Sequence, residues 1–268
     1  MVLAISILSG TLIGIILIVL VKGGGALSLD MLFKTPASGF YMGGGGGIAN
    51  AIVGSFFLAI GGTALAFAIS VGVAVYLQHD YTSSRLAELI RMVLDILWGI
   101  PSIIYGVVCF VIMTEMGFGT SLLAGIIALA MLEVPIMTRA MDESLRTVPN
   151  ELREAAYSLG LTRFEVAFKV IRKQALPGIL SGILLAFGRG IGDAASIFFT
   201  TGFSDYIPTS PSDSSAALPT LIFFLSTSPN PAVRERAFAA AFILLVIVLI
   251  TSIVSRFLSK RYTKFVIK

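Results

Sequence analysis

Arg189 and Asp193 stand four residues apart in a stretch, 177–200, that carries no other charge. At helical spacing they share a face, so the acid can neutralise the base. Arg189 lies about 12 residues, roughly 18 Å, along that stretch, near the middle of a bilayer. An ion at such depth is costly and usually faces a helix bundle or a water-filled path. The pair can therefore attract an oxyanion or set a gate, or it can simply fix helix register. A guanidinium that is already paired keeps little net field, which weighs against a plain anion ligand. Ala186, Gly182 and Gly178 continue the face backwards with small residues that permit close helix packing. Glu133 is a second acid inside an apolar run, two residues before Pro135. It can cap backbone groups freed by the proline or pair with Arg139. Arg91 and Asp95, also four apart, are expected to snorkel at a membrane boundary.

Most covalent chemistry lacks the residues it needs. His79 is the one histidine and Cys109 the one cysteine, so a His-based triad, a His or Cys metal centre and an internal disulfide are excluded within this chain. Gly188-x-Gly190-x-Gly192 lies in an apolar helix pattern, and Gly43–Gly47 is a bare glycine run. Neither continues into the Gly-Lys-Ser/Thr that cradles phosphates. No nucleotide-binding motif, catalytic residue or chain-bound cofactor is expected, so any ATP must be hydrolysed elsewhere.

A different kind of work is written in the segment 142–174. Pro149-Asn150 opens a helix with Asn150 as N-cap, and Glu151 is favourable at its positive end. The helix covers Glu151–Leu159 and stops at Gly160, a residue suited to a left-handed cap. Thr162 and Glu165 then form a T-x-x-E capping box that starts a second helix. Ala155 and Ala156 carry only methyls and admit a close partner, while Phe164, Phe168, Val170 and Ile171 give the second helix apolar bulk.

These residues need a scaffold, and composition dictates its kind. Of 268 residues, 56% are hydrophobic and only 13% charged. That is about half the charge of a soluble domain, and the mean hydropathy of +0.96 agrees. The fold class is an all-α membrane protein of about six transmembrane helices, forming one transmembrane domain over 1–268. The expected spans are 2–21, 48–77, 96–113 (broken by Pro101), 120–138, 177–200 and 237–255. Segments 78–95, 139–173 and 256–268 hold fourteen Lys and Arg, against four on the other side. That bias makes them cytoplasmic, with both termini inside. The first span lacks a basic leader and is expected to be a retained anchor. The net charge of +4 sits at helix ends rather than in one stripe, which argues against nucleic acid. Outside, 22–47 reads as a flexible glycine-rich loop. Residues 216–225 are too short to cross and are expected to form a helix lying at, or dipping into, the outer face.

Glu154-Ala155-Ala156-x-x-x-Gly160 resembles the EAA loop of ABC importer permeases, which docks into a cleft on a cytoplasmic ATPase subunit. Arg172-Lys173 stand where that family commonly has Leu-Pro, which follows here as Leu176-Pro177. Trp98-Gly99-Ile100-Pro101-Ser102-Ile103-Ile104-Tyr105-Gly106 is similar to a signature of phosphate-type permeases. Gly188-Arg189-Gly190-Ile191-Gly192-Asp193 resembles their R-x-x-G-E stretch, with Asp in place of Glu. Leu218-Pro219-Thr220-Leu221-Ile222 and Ser228-Pro229-Asn230-Pro231 look like their last external loop. The pattern is closest to the PstA-like subunit.

The resemblance implies a type I ABC importer permease architecture in a bacterial or archaeal inner membrane, with 142–174 as the coupling-helix loop. It implies ATPase coupling through Glu154, Ala155, Ala156 and Gly160, and a translocation path or gate at Arg189 and Asp193. The implied partners are a cytoplasmic ABC ATPase dimer carrying ATP-Mg, a second PstC-like permease, an extracytoplasmic phosphate-binding protein and membrane lipid. The function expected is phosphate import by alternating access. Import of another small oxyanion such as molybdate or sulfate, and a passive channel, are the alternatives; an intramembrane enzyme fails for want of catalytic partners.

Overall fold

A computed structural model describes residues 2–78 and 80–263. His79, and the Lys264 and Lys268 counted among the basic residues, lie outside them. The described residues form eleven α-helices and no strand apart from an isolated Pro36–Gly46 bridge. They are α1 (Val2–Ala26), α2 (Leu29–Phe33), α3 (Ala49–Tyr76), α4 (Ser84–Gly99), α5 (Ser102–Glu115), α6 (Leu122–Arg146), α7 (Asn150–Ser158), α8 (Arg163–Glu165), α9 (Arg172–Gly190), α10 (Leu218–Ser226) and α11 (Pro231–Thr263). A π-helical stretch, Val166–Ile171, joins α8 to α9 without a break.

Among the described residues, five helices are long and apolar enough to cross a membrane: 3–26, 49–76, 122–146, 163–190 and 231–258. α4 and α5 supply a sixth crossing only as a bent pair, turning 97° at Ile100-Pro101. The expected span 96–113, broken at Pro101, is thus the corner of a bent pair that runs over 84–115. Proline has no N–H for the helical ladder and biases the residue before it away from helix, here Ile100 with ψ 132°. The expected span 177–200 also differs: regular helix starts earlier, at Arg172, and ends at Gly190, after which 191–201 runs in turns.

α6 is the central post, packed on α3, α9, α5 and α4, while α1 rests on α11. The α6–α9 contact is close because small residues recur every fourth position. A Cβ on Gly182 would come within 2.9 Å of Ala140 Cβ, Gly178 abuts the Ser144 hydroxyl, and Gly190 abuts the Glu133 carboxylate. With buried Ala186, the stripe is 178–182–186–190 and it faces α6. Arg189 is one residue off this stripe, contrary to the sequence expectation, and its side chain is exposed.

The glycine-rich segment is folded, not flexible. α1 runs through Gly23–Gly25, and Phe40 is buried under α11. Arg236 of α11 donates to the carbonyls of Phe40 (2.6 Å) and Gly44 and stacks over the Phe40 ring at 4.4 Å. Asn230 Nδ2 donates to Met42 O at 2.9 Å. Gly39, Gly43 and Gly46 take positive φ, so here glycine serves the turns rather than mobility. α10 is likewise held: Leu218 N donates to Ser55 Oγ of α3 at 2.7 Å, and Leu218, Leu221 and Leu225 are buried.

Candidate functional site

The hairpin at 150–171 forms as the residue pattern dictates. α7 begins at Asn150, one residue before expectation, so Pro149 takes the cap position. Gly160 has φ +83°, and the N–H of Leu161 donates to Ala156 O at 3.2 Å, closing the helix end. Thr162 and Glu165 make the reciprocal capping box, with Thr162 N donating to Glu165 Oε2 at 3.1 Å.

α7 has an exposed face and a buried one. Glu154, Ala155 and Gly160 are exposed, whereas Ala156 packs inward on a core shared with Met141, Leu145, Val166 and Ile171. The two alanines are thus not equivalent: Ala155 is open to a partner and Ala156 seats the helix. Beside the outward face, Phe164 and Phe168 stack at 4.4 Å with much of their surface exposed, and Leu159 is 81% exposed. This apolar surface lies outward, and the inward bulk of the second helix comes from Val166, Ala167 and Ile171.

The inward face carries a polar network that the sequence reading missed. Arg153, three residues before Ala156 and 9% exposed, donates through Nη2 to Gln78 Oε1 (3.1 Å) and Leu145 O (3.2 Å), and through Nη1 to Asp80 Oδ2 (3.3 Å). Gln78 Nε2 donates in turn to Asp142 Oδ1 at 3.1 Å. Asp142, 0% exposed, accepts a two-pronged donation from Arg91, Nε at 2.7 Å and Nη2 at 3.0 Å. Arg91 also donates to Leu77 O at 3.0 Å. Arg139 joins Asp95 (3.2 Å) and Glu143 (3.4 Å). Arg91 and Asp95 therefore do not snorkel side by side; each reaches across to α6. The network links α7 to the end of α3, to α4 and to α6. Arginine suits both nodes: Arg91 grips Asp142 in a planar, two-pronged fashion, and the fork of Arg153 spreads single bonds over Gln78, Leu145 and Asp80. The available signal was the helical step from Arg153 to Ala156, which puts a charge on the face that packs.

At the far end of α9 the expected Arg189–Asp193 pair is absent. Once the helix stops at Gly190, Asp193 is no longer one turn above Arg189. Its Oδ2 instead accepts from Ser196 N (2.8 Å) and Ser196 Oγ (2.6 Å), closing the following turn. Arg189 makes no ion pair or hydrogen bond among the described residues. Glu133 does not pair with Arg139 and caps no backbone group. Its side chain is fully enclosed, and neither carboxylate oxygen has a hydrogen-bond partner among the described residues.

Residues 68–264 match the model of the family described as binding-protein-dependent transport system inner membrane component. The chain is similar to the phosphate transport system permease protein PstA of Yersinia pestis, at 36% identity over 79% of this chain and 72% of that protein. It is 35% identical to PstA of Haemophilus influenzae, over 90% and 85%, and 35% identical to PstA 1 of Mycobacterium tuberculosis, over 76% and 67%. Among solved structures it resembles an inward-facing MetNI methionine ABC transporter chain (TM-score 0.63, 19% identity, 81% of this chain and 95% of that one). It also resembles a chain of a bacterial alginate ABC transporter in complex with an alginate pentasaccharide-bound periplasmic protein (TM-score 0.66, 16% identity, 98% and 95%). These structural likenesses speak to fold alone, and the fold is that of type I ABC importer permeases.

Proposed function

Because the chain belongs to the family of binding-protein-dependent transport system inner membrane components, we propose that it is the permease subunit of an ATP-driven importer that moves inorganic phosphate into the cytoplasm. The observation that carries the cargo is that relatives at 32–36% identity over most of the chain are phosphate transport system permeases. In this reading the hairpin end is cytoplasmic, as the basic residues favour. The exposed Glu154, Ala155, Gly160, Leu159 and Phe164 meet an ATPase dimer, which carries the ATP and magnesium. The inward Arg153 hands movement of α7 to α3, α4 and α6. A second, PstC-like permease completes the path, and an external binding protein delivers the anion. The segment around Arg189 and Asp193 lies along that path, and the chain itself makes and breaks no covalent bond.

The test is purification in mild detergent followed by reconstitution. An ATPase and a second permease should co-purify, and labelled phosphate should accumulate only with ATP and the binding protein. Uptake that persists without ATP would turn the reading into a channel; competition by molybdate or sulfate in place of phosphate would change the cargo.

A further inference from the structure

Glu133 sits in the middle of α6, enclosed by its own chain, with both carboxylate oxygens unpartnered. From α3, a helix with no charged residue, the buried Thr63 hydroxyl comes within electrostatic reach of the carboxylate but stays outside hydrogen-bond geometry. From the α9 side come Gly190, whose lack of a side chain leaves room for the carboxylate, and the like-charged Asp193. On α6 itself the nearest base in sequence, Arg139, is engaged with Asp95 and Glu143. An ionised carboxylate so placed has no counter-charge, and leaving a buried ion unpaired is costly. Because it is already enclosed, a second subunit cannot supply a partner without rearrangement.

The residue next to Gly190 is Arg189, a base with no partner among the described residues, exposed on the neighbouring face of the same helical turn. Asp193, its expected partner, is occupied by Ser196. The regular helix ends one residue later, so only the last turn of α9 need rotate to exchange one face for the other. A buried carboxyl without a hydrogen-bond partner and an exposed, unpaired base thus flank one contact point. We infer that Glu133 and Arg189 form an ion pair in another state of the transport cycle, with Glu133 protonated in the conformation described here. As the guanidinium turns inward, the Glu133 carboxyl releases its proton to water on the exposed face, and the resulting carboxylate binds Arg189. Glu133 is then a positioning residue for Arg189 and makes turnover sensitive to pH. This rests on the transporter reading above, but not on which anion is carried.

The complete importer, reconstituted with its ATPase, tests this. Dicyclohexylcarbodiimide attaches to protonated carboxyls in apolar surroundings, and mass spectrometry locates it. Residue 133 should be labelled at least tenfold more in one of two states, nucleotide-free or trapped with ATP and vanadate. Equal labelling in both, or none in either, overturns the proposal. Glu133→Gln should lower the turnover of uptake at least tenfold with KM unchanged and flatten its pH profile, while Glu133→Asp keeps the pH dependence. A Gln variant with wild-type turnover and pH profile also overturns it. Labelling is read without reference to cargo, so a carrier that labels as expected but imports another anion would correct the phosphate reading alone.

Discussion

Arg153 of α7 and Gln78 at the end of α3 meet at 3.1 Å although 75 residues separate them. Through Gln78 the contact continues to Asp142 and Arg91, so a displacement of α7 cannot be absorbed by a slack loop. Replacing Arg153 by Met would leave Asp80 and Gln78 without their donor. Removal of one partner from a buried pair costs on the order of 3 kcal/mol. Arg153→Met should lower the thermal unfolding temperature of the assembled carrier and reduce ATP-driven uptake at least tenfold. Arg153→Lys, which lacks the planar fork, should fall between. Uptake per ATP hydrolysed, measured in proteoliposomes, checks this; unchanged coupling in Arg153→Met would count against the network's role.

Glu154 points outward from the same helix. Glu154→Lys should therefore change the chain's own stability by no more than about 0.5 kcal/mol, yet abolish uptake by placing a base where the partner expects an acid. Quantifying the ATPase recovered with the tagged variant, beside phosphate uptake at equal expression, separates a docking defect from misfolding.

Gly190 and Glu133 share one small volume between α9 and α6. Gly190→Ala overfills it and should destabilise by about 1–3 kcal/mol. Glu133→Ala in the same chain removes the obstruction, so the double variant should recover roughly 1 kcal/mol relative to the sum of the singles. Detergent-solubilised thermal unfolding of the four proteins measures the coupling; strict additivity would show that the two residues do not compete for space.

Asp213 braces the turn at 209–213 by accepting from Thr209 N (2.9 Å), Ser210 N (2.8 Å) and Thr209 Oγ1 (3.1 Å). Those donors favour the ionised form and hold its carboxyl below the ordinary value. A depressed folded-state pKa stabilises the turn at pH above the unfolded value, near 3.9, and the benefit fades as pH falls through the folded one. The backbone amides of Thr209 and Ser210 should be protected from hydrogen exchange down to about pH 4 and lose that protection in stronger acid. Asp213→Asn should lack it at every pH.

The hairpin was legible because its signals are local. Gly160, Thr162 and Glu165 act within one helical turn, and the geometry follows from their types. The apolar spans were legible for the same reason, as hydropathy needs no partner. What could not be read depends on which turn of one helix meets which turn of another. Nothing near Gln78 in sequence announces Arg153. The helix around Arg189 looks continuous by hydropathy, since 191–200 is as apolar as what precedes it, so its end at Gly190 and the loss of the Asp193 pairing were hidden. The glycine run misled for the opposite reason: its composition spells mobility, but Arg236, nearly 200 residues on, binds its carbonyls.

The π-helical stretch at Val166–Ile171 inserts about one residue into an otherwise unbroken rod. A helical wheel drawn upward from α9 therefore arrives at Phe164 out of phase by roughly 100°. Counted through as a plain α-helix, the aromatic pair would be assigned to the wrong side. The orientation of the surface proposed to meet the ATPase is thus set by a local miscount in the backbone, and any redesign that regularised the helix would turn Phe164 to another side.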